Sequence, residues 1–298
     1  MPEPLITIVV PSYNRASLIP ATLKSLQFQF NKNYEIIVVD DGSTDNTEDV
    51  VLPFLNDYTR YIKKENAERA AARNFGANLA RGRYVNFFDS DDLALPNHTN
   101  EAAAMIGRND DPIWFHLAFE WITPNGELIR QINHFKGHTL NKQIASGNLL
   151  SCNGVFIRRD IFLQNQFNED RVLSASEDYE LWLRLSARHP LNYSNTITSQ
   201  IVDHDMRSVR TINGNKLIDR IERFVKYAGQ DPEIMRFYGS DLRYIRMDAW
   251  SYVALHLADH PEWKLNSLRF FFRSLGESCR LLATKRFYAI IKNWLLKW

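Results

Sequence analysis

The segment Tyr84-Val-Asn-Phe-Phe-Asp-Ser-Asp-Asp92 leads from an apolar run directly into three carboxylates. Its aromatic and β-branched first half predicts a short buried strand. Two carboxylates about 4 Å apart repel by roughly 4 kcal/mol at an effective dielectric of about 20. This repulsion must be reduced by protonation of one carboxylate, by separation of the carboxylates into water or by a bound cation. Oxygen ligands favour Mg²⁺ or Mn²⁺. The alternative is a solvated turn before Pro96, which the neighbouring clusters make less favoured.

Two earlier apolar runs also end in polar clusters. Leu5–Val10 stops at Pro11 and precedes Ser12-Tyr-Asn-Arg15, and Glu35–Val39 ends in Asp40-Asp-Gly-Ser43. Helical patterns separate the runs, which predicts a Rossmann-like α/β fold with a mixed, mostly parallel sheet flanked by helices. Ligands of such sheets bind beyond the carboxyl ends of the strands. If the three strands are parallel neighbours, their polar clusters meet in one crevice.

Turn and capping residues suggest where the other elements begin and end. We predict a helix after Thr44 as its N-cap, and a second helix over Arg69–Arg81 that Gly82 terminates. Pro124-Asn-Gly126 is typical of a hairpin turn, and Glu177–Arg188 has the pattern of an amphipathic helix. From about residue 215 onward the pattern is helical and rich in aromatic residues.

The composition excludes several classes of protein. The 36 basic and 35 acidic residues give a formal charge of +1, so nothing in the overall charge indicates a nucleic-acid partner. Cys152 and Cys279 lie outside any metal-ligand spacing, which disfavours zinc and disulfides and indicates a reducing compartment. Neither a signal peptide nor an apolar run of about 18 residues is evident. We therefore expect a cytoplasmic protein.

Five blocks of the sequence resemble family 2 glycosyltransferases, in the order and spacing of that family. The blocks are Val10-Pro-Ser-Tyr-Asn-Arg15, Val38-Val-Asp-Asp-Gly-Ser-Thr-Asp45, Ala72-Arg-Asn-Phe-Gly76, Asp89-Ser-Asp-Asp92 and Ser176-Glu-Asp-Tyr-Glu-Leu-Trp182. The resemblance implies a GT-A fold and inverting transfer of a sugar from a nucleotide-diphosphate sugar, with UDP expected. It also implies a nucleotide-sugar-binding half at 1–98, an acceptor-binding half at 99–214 and a helical C-terminal extension at 215–298.

The resemblance further implies which residues bind the donor. Those expected to contact the nucleotide are Pro11, Tyr13, Arg15, Asp41, Arg73 and Asp91. Asp41 would accept a hydrogen bond from uracil N3–H, and Asp91 would face the ribose. Arg73 would lie near the base or the phosphates, unless it is an ordinary surface charge. Glu68 departs from the family, which more often has glycine there, so the resemblance leaves the local backbone path open.

A cation site is implied by the same resemblance. Asp92 would hold Mn²⁺ or Mg²⁺, which stabilises the charge that develops as the nucleotide leaves. Asp89 would be a second ligand or only organise the loop. His204 would complete the metal site or meet the phosphate, unless it is merely structural or solvent-facing, and Arg207 and Arg210 would contact the diphosphate.

A base is needed on the acceptor side, because inverting transfer is a single in-line displacement. Ser174 and Glu177 fit the Ser-x-x-Glu capping box, which would hold Asp178 at a rigid helix start. Acids at helix N-termini are also ordinary dipole partners, so the pattern alone leaves both readings open. The resemblance makes Asp178 the base and Glu177 the structural cap.

The C-terminal stretch from Trp263 to Trp298 is basic and aromatic, with Glu277 as its only acid. Such a segment either lies on an anionic membrane surface or packs as a helical cap with its basic groups turned outward. Since many family members use lipid-linked acceptors, we expect peripheral attachment to the inner face of the membrane. The acceptor would be a saccharide or a lipid-linked saccharide of polysaccharide or cell-envelope assembly.

Three alternatives are weighed against this interpretation. A nucleotidyltransferase needs a glycine-rich basic loop near the N-terminus, and Val10–Arg15 contains no glycine. A nicotinamide dehydrogenase is disfavoured because no Gly-x-Gly pair occurs. A non-catalytic module that binds a nucleotide sugar or a saccharide remains open, although the combination of Asp92, Asp178 and His204 argues against it.

Overall fold

A computed structural model describes residues 3–137, 140–205 and 213–297 of the chain. The chain forms two compact units, which we call the sheet unit and the helical unit. The sheet unit comprises Met1–Leu140, Leu150–Arg171 and His189–Arg207, and the helical unit comprises Asn141–Leu149, Val172–Arg188 and Ser208–Trp298. Among the described helices none is both long and apolar enough to cross a bilayer. The functional division at residues 98 and 214 stays a prediction.

The sheet unit is built on one mixed sheet, in which the described residues form nine strands. They are β1 (Ile6–Ser12), β2 (Tyr34–Asp40), β3 (Thr59–Lys63), β4 (Tyr84–Phe87), β5 (Leu93–Ala94), β6 (Trp114–Ile122), β7 (Leu128–Ile132), β8 (Val155–Arg158) and β9 (Leu191–Val202). Their order is β3-β2-β1-β4-β8-β6-β9-β5, and β7 pairs with β6. Strands β3, β2, β1 and β4 are mutually parallel, whereas β8 runs antiparallel to both β4 and β6.

Helices cover both faces of the parallel strands. The helices of the sheet unit are α1 (Ile19–Gln27), α2 (Thr47–Val51), α3 (Glu68–Asn78), α4 (His98–Arg108) and α5 (Arg159–Gln164). On one face, α1 contributes Leu23 to a cluster that contains Ile8. On the other face, α3 lies so close that a Cβ at Gly76 would meet Val9 Cγ1 at 2.4 Å. Burial on both sides explains why β1 and β2 are mainly apolar.

Strand β1 continues beyond the predicted stop at Pro11. Pro11 pairs with Val39 and Ser12 pairs with Asp40 of the neighbouring strand. The pairing of β1 with β4 ends at Val9. Pro11 has no amide N–H to donate, and it is tolerated here because β4 no longer pairs with β1 at this position.

Two predicted helix ends were wrong. Thr44 is not an N-cap, because α2 begins at Thr47 and the carboxylate of Asp45 accepts the Thr47 amide at 3.0 Å. Gly82 does not terminate α3, which ends at Asn78. A Cβ at Gly82 would lie 2.4 Å from the Thr7 amide nitrogen, so the glycine instead allows the chain to pass close to β1.

The helical unit has its own aromatic core. Its helices are α6 (Glu177–Arg188), α7 (Gly214–Gln230), α8 (Pro232–Tyr238), α9 (Leu242–Leu257), α10 (Lys264–Glu277) and α11 (Lys285–Lys297). Tyr179 of α6 stacks on Phe224 of α7 at 5.0 Å between ring centroids. Trp250 of α9 stacks on Phe270 of α10 at 5.8 Å. The basic C-terminal stretch therefore buries part of its aromatic surface within its own unit.

Other apolar side chains of this stretch remain in solvent. Leu265 and Phe272 of α10 are 79% and 63% exposed, and Leu295 of α11 is 79% exposed. Attachment to a membrane stays a prediction.

Two histidines of the sheet unit are completely buried. His98 lies in α4 and contacts Thr198 Oγ1 at 3.0 Å, and His116 lies in β6 and accepts the Ser151 amide at 3.2 Å. Burial lowers the pKa of each imidazolium to about 3. Both side chains are therefore neutral in the folded protein at any physiological pH.

This burial predicts a loss of stability in mild acid. An unfolded histidine has a pKa near 6.5, so between pH 7.5 and 5.5 only the unfolded chain takes up the proton, which costs about 1.4 kcal/mol per histidine. His116→Gln should remove one such contribution from the difference in unfolding free energy between the two pH values, measured by urea denaturation. His260→Gln is the matched control, because His260 is exposed. An unchanged difference in His116→Gln would contradict the assignment.

Candidate active site

The three polar clusters meet at one edge of the sheet. Strands β2, β1 and β4 are parallel neighbours, as the sequence interpretation required. The Asp41 amide, just beyond β2, donates to the Ser12 carbonyl at the end of β1 at 2.8 Å. The Phe88 amide, just beyond β4, donates to the Val9 carbonyl of β1 at 2.9 Å. This edge therefore gathers the side chains that follow all three strands.

Asp41 is buried and held from one side. Its Oδ1 accepts from Lys64 Nζ at 2.6 Å and from the Ala67 amide at 3.0 Å. Its Oδ2 has no hydrogen-bond partner within the described ranges, which leaves a fixed acceptor beside the ends of β1 and β2. Lys64 was not singled out from the sequence, where it is one lysine among many.

The carboxylates of Asp89, Asp91 and Asp92 form a compact cluster. One ligand atom from each lies within 4.8 Å of the others. Asp92 is the most deeply buried of the three, at 1% exposure. Its Oδ1 accepts the Val202 amide at 3.0 Å, and its Oδ2 accepts Asn153 Nδ2 at 2.8 Å. These bonds fix the direction of a carboxylate that has almost no contact with bulk water.

Asn153 joins both ends of the acidic loop. Its Nδ2 donates to Asp92, while its Oδ1 accepts the Asp89 amide at 2.9 Å. It is 1% exposed and lies in a 3-10 helix, Cys152–Gly154, which immediately precedes β8. Sequence reasoning missed it, because it belongs to no motif and reaches the loop only through the pairing of β8 with β4.

Basic groups flank the two remaining carboxylates. Arg73 Nη2 lies 2.8 Å from Asp89 Oδ1, and its guanidinium is 5.2 Å from the centroid of the Phe167 ring. At 2% exposure Arg73 is not the surface charge that the sequence left open. Arg15 Nη2 is 3.4 Å from Asp91 Oδ2, and His204 Nε2 is 3.1 Å from the same oxygen.

His204 is adjacent to the acidic cluster but is not one of its three members. Its Nδ1 is buried and has no hydrogen-bond partner in the described part of the chain. Arg207 and Arg210, which were expected to contact a diphosphate, lie outside the described residues. Whether His204 binds a metal therefore stays a prediction.

The donor set of the cluster fits a small hard cation. All three side chains offer carboxylate oxygens, which Mg²⁺ and Mn²⁺ prefer and which zinc uses less often. Ligands of one Mg²⁺ lie at most about 4.2 Å apart, twice its usual bond length of about 2.1 Å, and the three ligand atoms here lie within 4.8 Å of one another. Asp92 is the natural anchor, because its neighbours already fix its orientation.

The remaining donor-side residues surround this edge. Tyr13 is 48% exposed just beyond β1, whereas Pro11 is buried within the strand. Glu68 has a backbone φ of +74°, in the left-handed region that favours glycine. The chain thus keeps a conformation suited to glycine although it carries a glutamate there.

Asp178 lies in the helical unit, in the first turn of α6. Its Oδ2 accepts Asn148 Nδ2 at 3.1 Å, so the carboxylate is oriented by an amide of its own unit. The predicted capping box was wrong, because α6 begins at Glu177, which is therefore the first residue of the helix and not the third. The Glu177 carboxylate accepts the Ala175 amide at 2.6 Å. The role of Asp178 as a base stays a prediction.

Residues 7–162, which are more than half of the chain, match Glycosyl transferase family 2. The chain belongs to this family. The match covers the three strand ends and the acidic loop, and it confirms the resemblance recognised in the sequence.

Several relatives of this family 2 chain are named uncharacterized glycosyltransferases. One from Rickettsia felis is 25% identical over 276 residues, which cover 89% of this chain and 43% of the relative. Two others, from Rickettsia conorii and Rickettsia bellii, are each covered to 33% of their length, so the chain spans less than half of these relatives. WfgD of Escherichia coli, a UDP-Glc:alpha-D-GlcNAc-diphosphoundecaprenol beta-1,3-glucosyltransferase, is 32% identical over 62% of this chain and 71% of its own.

Solved structures share the fold of the family 2 chain. Staphylococcus aureus TarS 1–349 in complex with UDP-GlcNAc matches with a TM-score of 0.71 at 20% identity, over 97% of this chain and 89% of the TarS 1–349 chain. Mannosyltransferase PcManGT of Pyrobaculum calidifontis, in complex with GDP-Man and Mn²⁺, matches with a TM-score of 0.56 at 17% identity, over 98% and 87% of the two chains. At these identities the likeness concerns the fold alone, and it confirms the GT-A type.

The bond between Asn153 and Asp92 gives a test of how the acidic loop is held. Asn153→Asp removes the donor and brings a second carboxylate against a buried one, which should cost about 2–4 kcal/mol of unfolding free energy. Asp92→Asn combined with Asn153→Asp exchanges donor and acceptor, and should recover stability to within about 1 kcal/mol of wild type. Chemical denaturation of the two single variants and the double variant measures both effects. No recovery in the double variant would contradict the proposed role of this bond.

Proposed function

We propose that the chain transfers a sugar from a UDP-linked donor to a saccharide or lipid-linked saccharide, with inversion at the anomeric carbon and with Mn²⁺ or Mg²⁺. The observation that carries the proposal is the cluster of Asp89, Asp91 and Asp92 at the sheet edge where Asp41 offers a fixed acceptor. Membership of family 2 supports the reaction class, and TarS, whose fold is similar, is described in complex with UDP-GlcNAc.

The nucleotide would lie across the ends of β1, β2 and β4. The fixed Oδ2 of Asp41 suits the uracil N3–H, because Lys64 and the Ala67 amide hold the carboxylate in place through its other oxygen. The backbone at Pro11 and the side chains of Tyr13 and Arg15 would contact the nucleoside from β1. Asp91 would accept from the ribose hydroxyls, with Arg15 fixing its position. Arg73 would act through Asp89, which it pairs with directly.

The diphosphate would lie beside Asp92. Asp92 would hold the divalent ion, with Asp89 and His204 as its candidate further ligands. When bound, the ion neutralises the charge that builds up on the departing nucleotide, a contribution of several kcal/mol. Asn153 and the Val202 amide would keep the Asp92 carboxylate in one orientation, so little reorganisation is needed when the donor binds.

Asp178 would take the proton from the acceptor hydroxyl. The hydroxyl oxygen then attacks the anomeric carbon as the bond to the diphosphate breaks on the opposite face, which inverts the configuration. Asn148 holds Asp178 Oδ2 at 3.1 Å and leaves the carboxylate partly accessible. The carboxylate is suited to this step, because it is oriented without being enclosed.

The acceptor is proposed to be a saccharide of polysaccharide or cell-envelope assembly. The relative WfgD, by its name, acts on a sugar diphosphoundecaprenol, which supports a lipid-linked acceptor. The exposed apolar and basic side chains of α10 and α11 would then bring the chain to the anionic inner face of the membrane, from the cytoplasm.

The proposal predicts different defects for the two key acids. Asp92→Asn should lower UDP release from UDP-glucose or UDP-N-acetylglucosamine by about 100-fold or more, and it should abolish Mn²⁺-dependent donor binding. Asp178→Asn should lower UDP release by about 100-fold or more, but calorimetry should find donor binding nearly unchanged. Asp219→Asn, an exposed acid of the helical unit, is the matched control.

Other outcomes would point to another function. Donor binding without turnover in the wild type, with all sugars and acceptors tried, would favour a non-catalytic binding module. Formation of a nucleotide sugar from a nucleoside triphosphate and a sugar phosphate would favour a nucleotidyltransferase. Full activity in both acid variants would overturn the assigned roles.

A further inference from the structure

The helical unit contains a cavity of its own, with a volume of about 750 Å³. This volume is within the range of small-molecule sites, roughly 300–1,000 Å³. The cavity lies between α9, α11 and the 3-10 helix Cys279–Ala283, and the segment at Ser146 also lines it. None of its lining residues takes part in the proposed donor site.

The charges that line this cavity are unbalanced. Arg280, Lys285 and Arg286 contribute three positive charges, and Asp248 contributes the one negative charge. Arg286 Nη1 is 2.6 Å from Asp248 Oδ1 and also donates to Ser251 Oγ at 2.9 Å. Within the part of the chain that the structure describes, Arg280 and Lys285 form no ion pair. The lining therefore has an excess of two positive charges.

Two of these cationic side chains lie at the N-terminal end of a helix. Lys285 and Arg286 occupy the first turn of α11, which has no acidic residue. The N-terminal end of a helix carries a partial positive charge, so lysine and arginine are disfavoured there. An anion in the cavity would reverse this penalty, because it would interact favourably with the side chains and with the amides of the helix start.

We propose that this cavity binds a phosphate- or diphosphate-bearing ligand at a second site, separate from that of the sugar donor. Guanidinium groups pair with phosphate oxygens in a forked geometry, and a lysine adds a mobile point charge. Arg280 is already oriented, since its guanidinium lies 4.3 Å from the centroid of the Tyr244 ring. A diphosphate diester carries one negative charge per phosphate, which matches the excess charge of the lining.

The segment that lines the cavity also contacts the candidate base. Ser146 faces the cavity, a Cβ at the next residue, Gly147, would lie 3.3 Å from Asp248 Oδ1, and Asn148 donates to Asp178. This continuity assigns the cavity to the acceptor side, where it would hold the phosphate of a phosphorylated acceptor. That assignment rests on the proposed function, whereas the existence of the anion site does not.

Binding of inorganic diphosphate to the full chain, without divalent metal, tests the site. Calorimetry at low ionic strength should detect binding to the wild type and to Asp92→Asn alike. Arg280→Gln combined with Lys285→Gln should weaken it at least about ten-fold, because two charge-assisted contacts are lost. Lys216→Gln combined with Lys226→Gln removes the same charge from α7 of the same unit, outside the cavity lining, and should bind as the wild type does.

A second arm identifies the source of the phosphate. Loss of sedimentation with phosphatidylcholine vesicles that contain phosphatidylglycerol, in the cavity variant but not in its control, would support a lipid headgroup as the ligand. Unchanged sedimentation together with weakened diphosphate binding would support a soluble phosphorylated ligand. Diphosphate binding that the cavity variant leaves intact, or its complete absence from the wild type, would overturn the proposal. Neither result bears on sugar transfer at the donor site, which the UDP-release assay tests separately.

Discussion

Three carboxylates held within 4.8 Å of one another, at the end of a buried strand, are the constraint on which the sheet unit depends. Their mutual repulsion has to be offset, and the surrounding contacts do so in two ways. Arg73 and Arg15 place positive charge beside Asp89 and Asp91. Asp92 accepts hydrogen bonds from the Val202 amide and from Asn153 Nδ2, which hold its carboxylate in one orientation. The arrangement leaves a place where a bound cation would be strongly attracted.

Much of this organisation could be predicted from the sequence, for physical reasons that particular residues make clear. The runs at Ile6–Val10 and Tyr34–Val39 are mainly apolar because helices cover both faces of these strands, and such runs are visible without any structure. Parallel pairing then brings the residues after each strand to one edge. A local sequence pattern was therefore enough to predict that the acidic loop and Asp41 lie at the same edge of the sheet.

What the sequence did not reveal depends on contacts between distant parts of the chain. Asn153 is 61 residues from Asp92 and Lys64 is 23 residues from Asp41, and nothing local marks either partner. The prediction for Gly82 was wrong for the same reason. A glycine is needed there because the chain passes close to β1, and not because the preceding helix ends there. The capping box failed because the backbone turns at Ala175, with a φ of +74°, before α6 begins.

The proposed function requires a divalent cation, which Asp92 would hold beside the diphosphate of the donor. Crystals of the chain grown with UDP and Mn²⁺ would test this most directly, because manganese can be located by its anomalous scattering. We expect one strong peak within bonding distance of an Asp92 carboxylate oxygen and of the UDP phosphates, with the uracil N3–H facing Asp41. A bound UDP with no peak at the acidic loop, or a peak that Asp92 does not contact, would contradict the account.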